Sequence, residues 1–166
     1  MNKKLVDAIN KQLNFELESA HVYLAMQNFF AERSLSGFEN WFAIQYKEEV
    51  SHAEKFMGYL KTRGEKIEIS GFGDPKNDFD SVLDVLETSL NHEKEVTRRI
   101  DELMDLAMEL NDHASVNFLQ WYVDEQVEEE DNFNKLIDQV KLVKDAGLYM
   151  LDKELASRVF VPIASE

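Results

Sequence analysis

The segment Gln45-Tyr46-Lys47-Glu48-Glu49-Val50-Ser51-His52-Ala53-Glu54-Lys55-Phe56 places a carboxylate and an imidazole three residues apart within an apolar stripe. On a helix, positions i and i+3 share a face, so Glu49 and His52 can grip one ion. Turned at about 100° per residue, that face carries Phe38, Phe42, Gln45, Glu49, His52, Phe56 and Leu60. The Glu-x-x-His spacing is weak by itself. Glu18-x-x-His21 repeats it, but on the side of its helix opposite Glu16, and is rejected as a ligand pair.

Three further stretches have the same organisation. Apolar residues recur every three or four positions, predicting helices over about 5–32, 37–64, 81–110 and 113–145. Each is on the order of 40 Å long at 1.5 Å per residue. The first groups Ile9, Leu13, Glu16, Ala20, Tyr23 and Gln27. The third groups Val82, Leu86, Glu93, Val96, Ile100 and Met104. The fourth groups Phe118, Tyr122, Gln126, Glu129, Phe133, Leu136 and Val140. Every helix thus sets one glutamate among core residues. Glu16 and Glu49 lie 18 residues before and 15 after Ser34, and Glu93 and Glu129 each lie 18 from Asn111, so hairpin folding brings each pair level.

An ionised carboxylate taken out of water costs several kcal/mol unless something compensates it. Lys11, Lys47, Lys55, Lys94, Arg98, Arg99 and Lys135 project away from the four stripes, and Arg63 approaches one only near its end. Central acids without cationic partners either protonate or hold metal. Four at matching depth argue for metal. Hard oxygens with one or two nitrogens suit iron or manganese, and zinc also fits such a set.

The connections set the topology. A few residues join the first two helices and the last two, which predicts two antiparallel hairpins. Between the hairpins, Glu65 to Asp80 contains Gly71, Gly73 and Pro75. At about 3.3 Å per residue it can run the length of the bundle. A crossover that makes the second and third helices parallel is the economical solution, and Lys66-Ile67-Glu68-Ile69 reads as extended. Ser36-Gly37-Phe38-Glu39 reads as a capping box, Gly64 as a C-terminal stop, Asp112 as an N-cap and Gly147 as the end of the fourth helix. An amphipathic piece over about 149–159 predicts a short fifth helix. The expected fold is all-α, a four-helix bundle filling residues 1–166 as one domain. A second stripe on the first helix (Phe15, Val22, Met26, Phe29) is expected to face another subunit.

Composition narrows the function. The 166 residues hold no Cys, which excludes disulfides, thiol catalysis and Cys-bound clusters. The formal net charge of −15 repels nucleic acid and anionic lipid and attracts cations. No run reaches the length of a membrane span. The polar start, Met1-Asn2-Lys3-Lys4, lacks the apolar region of a secretory signal. A cytoplasmic location with no nucleic-acid or membrane partner is expected.

Phe15-Glu16-Leu17-Glu18 with Tyr23, the segment 47–54, and above all Asn117-Phe118-Leu119-Gln120-Trp121-Tyr122-Val123-Asp124-Glu125-Gln126-Val127-Glu128-Glu129-Glu130 resemble bacterial non-haem ferritin, over nearly the whole chain. The resemblance implies a hollow homo-oligomeric shell of 24 subunits with a di-iron ferroxidase centre in each bundle. Iron enters as ferrous ion, is oxidised by dioxygen or peroxide and is stored as ferric mineral. By motif match Glu16, Glu49 and His52 bind the first iron. Glu49 bridges to the second, which Glu93 and Glu129 complete with Gln126 beside it. Glu48, Glu125 and Glu128, with Glu129, match a third iron site. Tyr23 matches a tyrosine next to the centre, an electron donor or a hydrogen-bond partner. Trp121 is expected as a packing anchor, and His92 and His113 as exposed or capping residues. Bacterioferritin carries a haem-ligating Met where this chain has Val50, and His where it has Glu129, so no haem is expected. A non-catalytic iron or manganese buffer of the same fold, and a purely structural helical protein, are the competing functions.

Overall fold

The computed structural model describes residues 1–163, with side chains throughout except at 144–146. Four helices follow in order: α1 (Lys3–Ala31), α2 (Ser36–Thr62), α3 (Val82–Glu109) and α4 (His113–Leu155). Asn2, Ser81 and Asp112 cap α1, α3 and α4, their side chains accepting from the Lys4, Asp84 and Ser115 amides. Ser34, Gly64 and Asn111 follow helix ends at φ 57°, 70° and 53°, the left-handed geometry that turns a chain out of a helix. α1 packs mainly on α2 and α3 on α4, while α2 meets α4 and α1 meets α3 across the bundle.

The long connection runs along α1. The Asn10 side chain donates to the Lys66 carbonyl (3.0 Å) and accepts from the Glu68 amide (2.7 Å), and Asn14 does the same for the Glu68 carbonyl (2.7 Å) and the Ser70 amide (2.8 Å). Further up, Phe72 meets His21, and Phe79 packs edge-on to Phe29. The connection therefore climbs from the level of Asn10 to that of Phe29. That delivers α3 to the end where α2 began, so α2 and α3 run parallel. Two asparagine side chains supply the hydrogen bonds that a neighbouring strand would give the extended 66–70 segment.

The core is built in two apolar halves. One gathers Tyr23, Met26, Phe30, Phe38, Phe42, Val85, Leu86 and Phe133; the other Leu5, Ile9, Leu13, Phe56, Leu60, Ile100, Leu119 and Tyr122. Burying a large apolar side chain contributes about 1.5–3 kcal/mol. A layer of polar residues lies among them: Glu16, Gln45, Glu49, His52, Glu93, Gln126 and Glu129 are all buried.

Several expectations change. The capping box does not form: the N-cap of α2 is Leu35, with no side-chain cap of its own. Instead Asp152 Oδ1 accepts from the Gly37 and Phe38 amides at 2.8 and 3.0 Å. The fifth segment is helical, but turns continue into it from α4, and it ends at Leu155 rather than near 159. Gly147 marks a bend rather than a stop. A Cβ there would lie 2.5 Å from the Val143 Cβ, against about 5–6 Å between such positions in a straight helix. The bend returns Leu151 and Leu155 to the core beside Phe38. The second stripe of α1 is largely covered by the chain itself. Met26 and Phe29 are buried, Met26 Sδ accepts from Ser89, and the Arg99 guanidinium lies 3.9 Å above the Phe15 ring. Its subunit-facing role has no support, because α3 and the crossover already occupy it. His92 neither caps nor stands free: its Nε2 lies 2.7 Å from Ser19 Oγ and its ring stacks on Phe15. Burial pushes its pKa down to about 4.

Candidate metal centre

The helical periodicity that buries Leu13, Phe42, Val96 and Phe133 also buries the glutamates spaced among them. Glu16, Glu49 and His52 converge: each offers a ligand atom within 4.8 Å of the others, so the three can hold a metal ion. Gln12, one turn before Glu16, donates to Glu16 Oε1 at 2.8 Å and itself accepts from Arg99 Nε at 3.1 Å. Glu16 Oε2 and Glu49 Oε2 are buried and find no hydrogen-bond partner among the described residues. His52 Nδ1 is 3.5 Å from Glu49 Oε2, beyond the length of a sound hydrogen bond. Buried carboxylate oxygens without donors are rare and need an explanation. Two of them beside an imidazole form a donor set suited to a divalent cation.

Glu93 and Glu129 stand on the α3–α4 side. The Tyr23 hydroxyl donates to Glu93 Oε1, Gln126 Nε2 donates to Glu93 Oε2 at 3.1 Å, and Gln45 Nε2 donates to Glu129 Oε2 at 2.9 Å. Neither acid meets a Lys or Arg among the described residues, as expected. Neutral amides and a phenol fix the orientation of these carboxylates without cancelling their charge.

Electrostatics follow from burial. It drives the Glu49 pKa well above its ordinary value against the pull of His52, with Glu93 and Glu16 adding to the rise. It lifts Glu93 to about 7, opposed by the Tyr23 and Gln126 hydrogen bonds. It lifts Glu129 to about 8, helped by the charges of Glu93 and Glu48. Burial works against the His52 imidazolium, yet Glu125, Glu49 and Glu16 outweigh it and hold its pKa well above the usual value. A bound cation would reverse the carboxylate shifts by supplying the missing positive charge.

The residues matched to a third site sit differently. Glu125 Oε1 lies 3.8 Å from His52 Nε2. Glu48 is paired with Arg158, and Glu128 is exposed. Among the described residues these three make no ligand group of their own. Trp121 packs edge-on to His52 with Lys55 Nζ 4.6 Å from its ring centroid, and the Tyr122 hydroxyl donates to the His52 carbonyl at 2.8 Å. Gln12 and Gln45, which orient Glu16 and Glu129, are functional residues that the ligand pattern alone does not single out. Their signal was a glutamine one turn before Glu16 and Glu49 on the same face. Arg158 had no such signal, because it arrives from the C-terminal segment.

A bundle with a long crossover and buried carboxylates contributed by all four helices defines the ferritin-like class of metal proteins. The ferritin-like domain model matches residues 6–143. The chain is 42% identical over 162 residues to a bacterial non-heme ferritin of Staphylococcus saprophyticus, covering 96% of this chain and 97% of that one. It is 40% identical to the bacterial non-heme ferritin of Staphylococcus aureus, covering 96% and 98%. Among solved structures, an engineered closed form of the Archaeoglobus fulgidus ferritin superposes with a TM-score of 0.95 at 40% identity, covering 97% of this chain and 99% of that one. The open-pore ferritin of the same archaeon superposes at 0.94, covering 96% and 98%. This chain belongs to the ferritin family.

Proposed function

We propose that the protein stores and detoxifies iron, oxidising ferrous ions at a two-metal centre inside each bundle and holding the product as ferric mineral within a 24-subunit shell. Glu16, Glu49 and His52 take the first ion. Glu49 bridges to the second, which Glu93 and Glu129 hold with Gln126 alongside. The observation that carries this assignment is the pair of buried, unpartnered oxygens on Glu16 and Glu49.

Each ferrous ion gives up one electron. Dioxygen accepts two electrons with two protons to leave hydrogen peroxide, or peroxide accepts two with two protons to leave two waters. Anionic oxygens favour the more highly charged ferric product over the ferrous substrate. Glu93 and Glu129, part-protonated near neutral pH, shed protons when cations enter. Tyr23 orients Glu93. The family resemblance supports the closed shell and a cytoplasmic setting, and no helix among the described residues is long and apolar enough to cross a membrane.

Ferrous iron added aerobically to the pure protein tests the proposal. Ferric absorbance should rise far faster than in buffer, and the product should elute as a large iron-laden particle. Binding without oxygen consumption would favour the non-catalytic buffer. No metal binding by calorimetry would leave only a structural role.

A further inference from the structure

The C-terminal segment reaches the rim of the metal layer through one side chain. Beyond Leu155, the Asn40 amide donates to the Leu155 and Arg158 carbonyls at 3.2 and 3.0 Å, which lays this segment along α2. The Arg158 guanidinium then lies 4.1 Å from the centroid of the Trp41 ring. Its Nη2 donates to both Glu48 oxygens, at 2.8 and 3.1 Å, and its Nη1 donates to Gln45 Oε1 at 2.6 Å. Both side chains of the ion pair are only 20% exposed. Glu48 is near enough to Glu125, His52 and Glu129 to interact electrostatically with each. Arg158 therefore stands where a cation beside the two-metal centre would otherwise neutralise Glu48.

We infer that Arg158 is a resident counter-cation that withholds Glu48 from metal, so that it sets how many ions each subunit binds. This rests on the two-metal centre proposed above. A guanidinium bonded to both oxygens takes one lone pair on each and neutralises the carboxylate, and its planar fork is held by Trp41 and Gln45. A third ion that uses Glu48 must compete with Arg158 for its charge. An isolated acid at this position would attract cations, whereas a paired one resists them.

Anaerobic calorimetric titration of the full-length protein with Zn(II), and separately with Fe(II), tests this. Arg158→Gln should add one bound ion per subunit, or tighten the weakest ion about tenfold, equivalent to ~1.4 kcal/mol. Arg158→Lys, which keeps the charge but loses the planar fork, should fall between the parent and Arg158→Gln. Asn40→Ala, which frees the segment without changing any charge, should shift the isotherm in the same direction by less. Size-exclusion and thermal melting would show that the variants assemble. If Arg158→Gln does not assemble, Asn40→Ala carries the test. Superimposable isotherms for parent and Arg158→Gln would overturn the inference. So would Arg158→Lys behaving like Arg158→Gln. A parent that binds no metal at all would instead remove the two-metal centre, a separate failure.

Discussion

Asp152 caps helix α2 at Gly37, 115 residues earlier in the chain, with its carboxylate accepting the Gly37 amide at 2.8 Å. The approach is so close that a Cβ on Gly37 would sit 1.6 Å from the Asp152 carbonyl oxygen. Gly37 is thus a spacer: its missing side chain lets the C-terminal segment dock on the end of α2 and satisfy amides that the helix start leaves open.

Gly37→Ala should push that segment off α2, because the clash is with backbone and no rotamer relieves it. A loss of about 2–3 kcal/mol is expected, typical of overpacking at a tight contact. Asp152→Ala should cost about 1 kcal/mol, the usual value of a cap. Thermal melting of the two variants checks the order: Gly37→Ala should melt lower. Equal melting temperatures for parent and Gly37→Ala would show that the docking contributes nothing.

Glu49→Gln should separate stability from activity. Glu49 is buried with an unpartnered oxygen, so a neutral amide relieves a desolvation cost in the metal-free protein. Its melting temperature should stay level or rise. Glu49→Ala should still assemble, and in both variants rapid ferrous oxidation should fall to the background seen in buffer. Stopped-flow absorbance measures the rate. Oxidation at the parent's rate in either variant would remove Glu49 from the mechanism.

The raised carboxylate pKa values predict a direction for pH. Glu93 near 7 and Glu129 near 8 hold their protons more tightly folded than unfolded. Their contribution to stability is complete below the unfolded value of about 4.5 and is lost as pH rises through 7 to 8. His52, also raised, acts in the same direction, losing its contribution as pH rises through its folded value. The metal-free protein should therefore melt lower at pH 8 than at pH 5.5 at fixed ionic strength. Saturating Zn(II) should reduce that slope, since a cation replaces the protons. Glu93→Gln with Glu129→Gln should reduce it in the metal-free state, leaving the part that His52 and Glu49 contribute. Proton release on Zn(II) binding at pH 7, followed with a weakly buffered indicator, is a second check. An unchanged slope in the double variant would remove these residues as its source.

The sequence by itself determined the four long helices, the crossover and the depth of Glu16, Glu49, His52, Glu93, Gln126 and Glu129. Helical periodicity is local, and a residue's place on a stripe follows from counting along its own helix. Only the tertiary structure decided what those groups touch: Tyr23 on Glu93, Gln45 on Glu129 and Arg158 on Glu48. It also decided that Asp152, not Ser36, caps α2, and that Phe15 and Met26 lie under Arg99 and Ser89. Each of these joins residues far apart in the chain, and no spacing encodes them. They depend on where the bend at Gly147 and the climb of the crossover set one segment down on another.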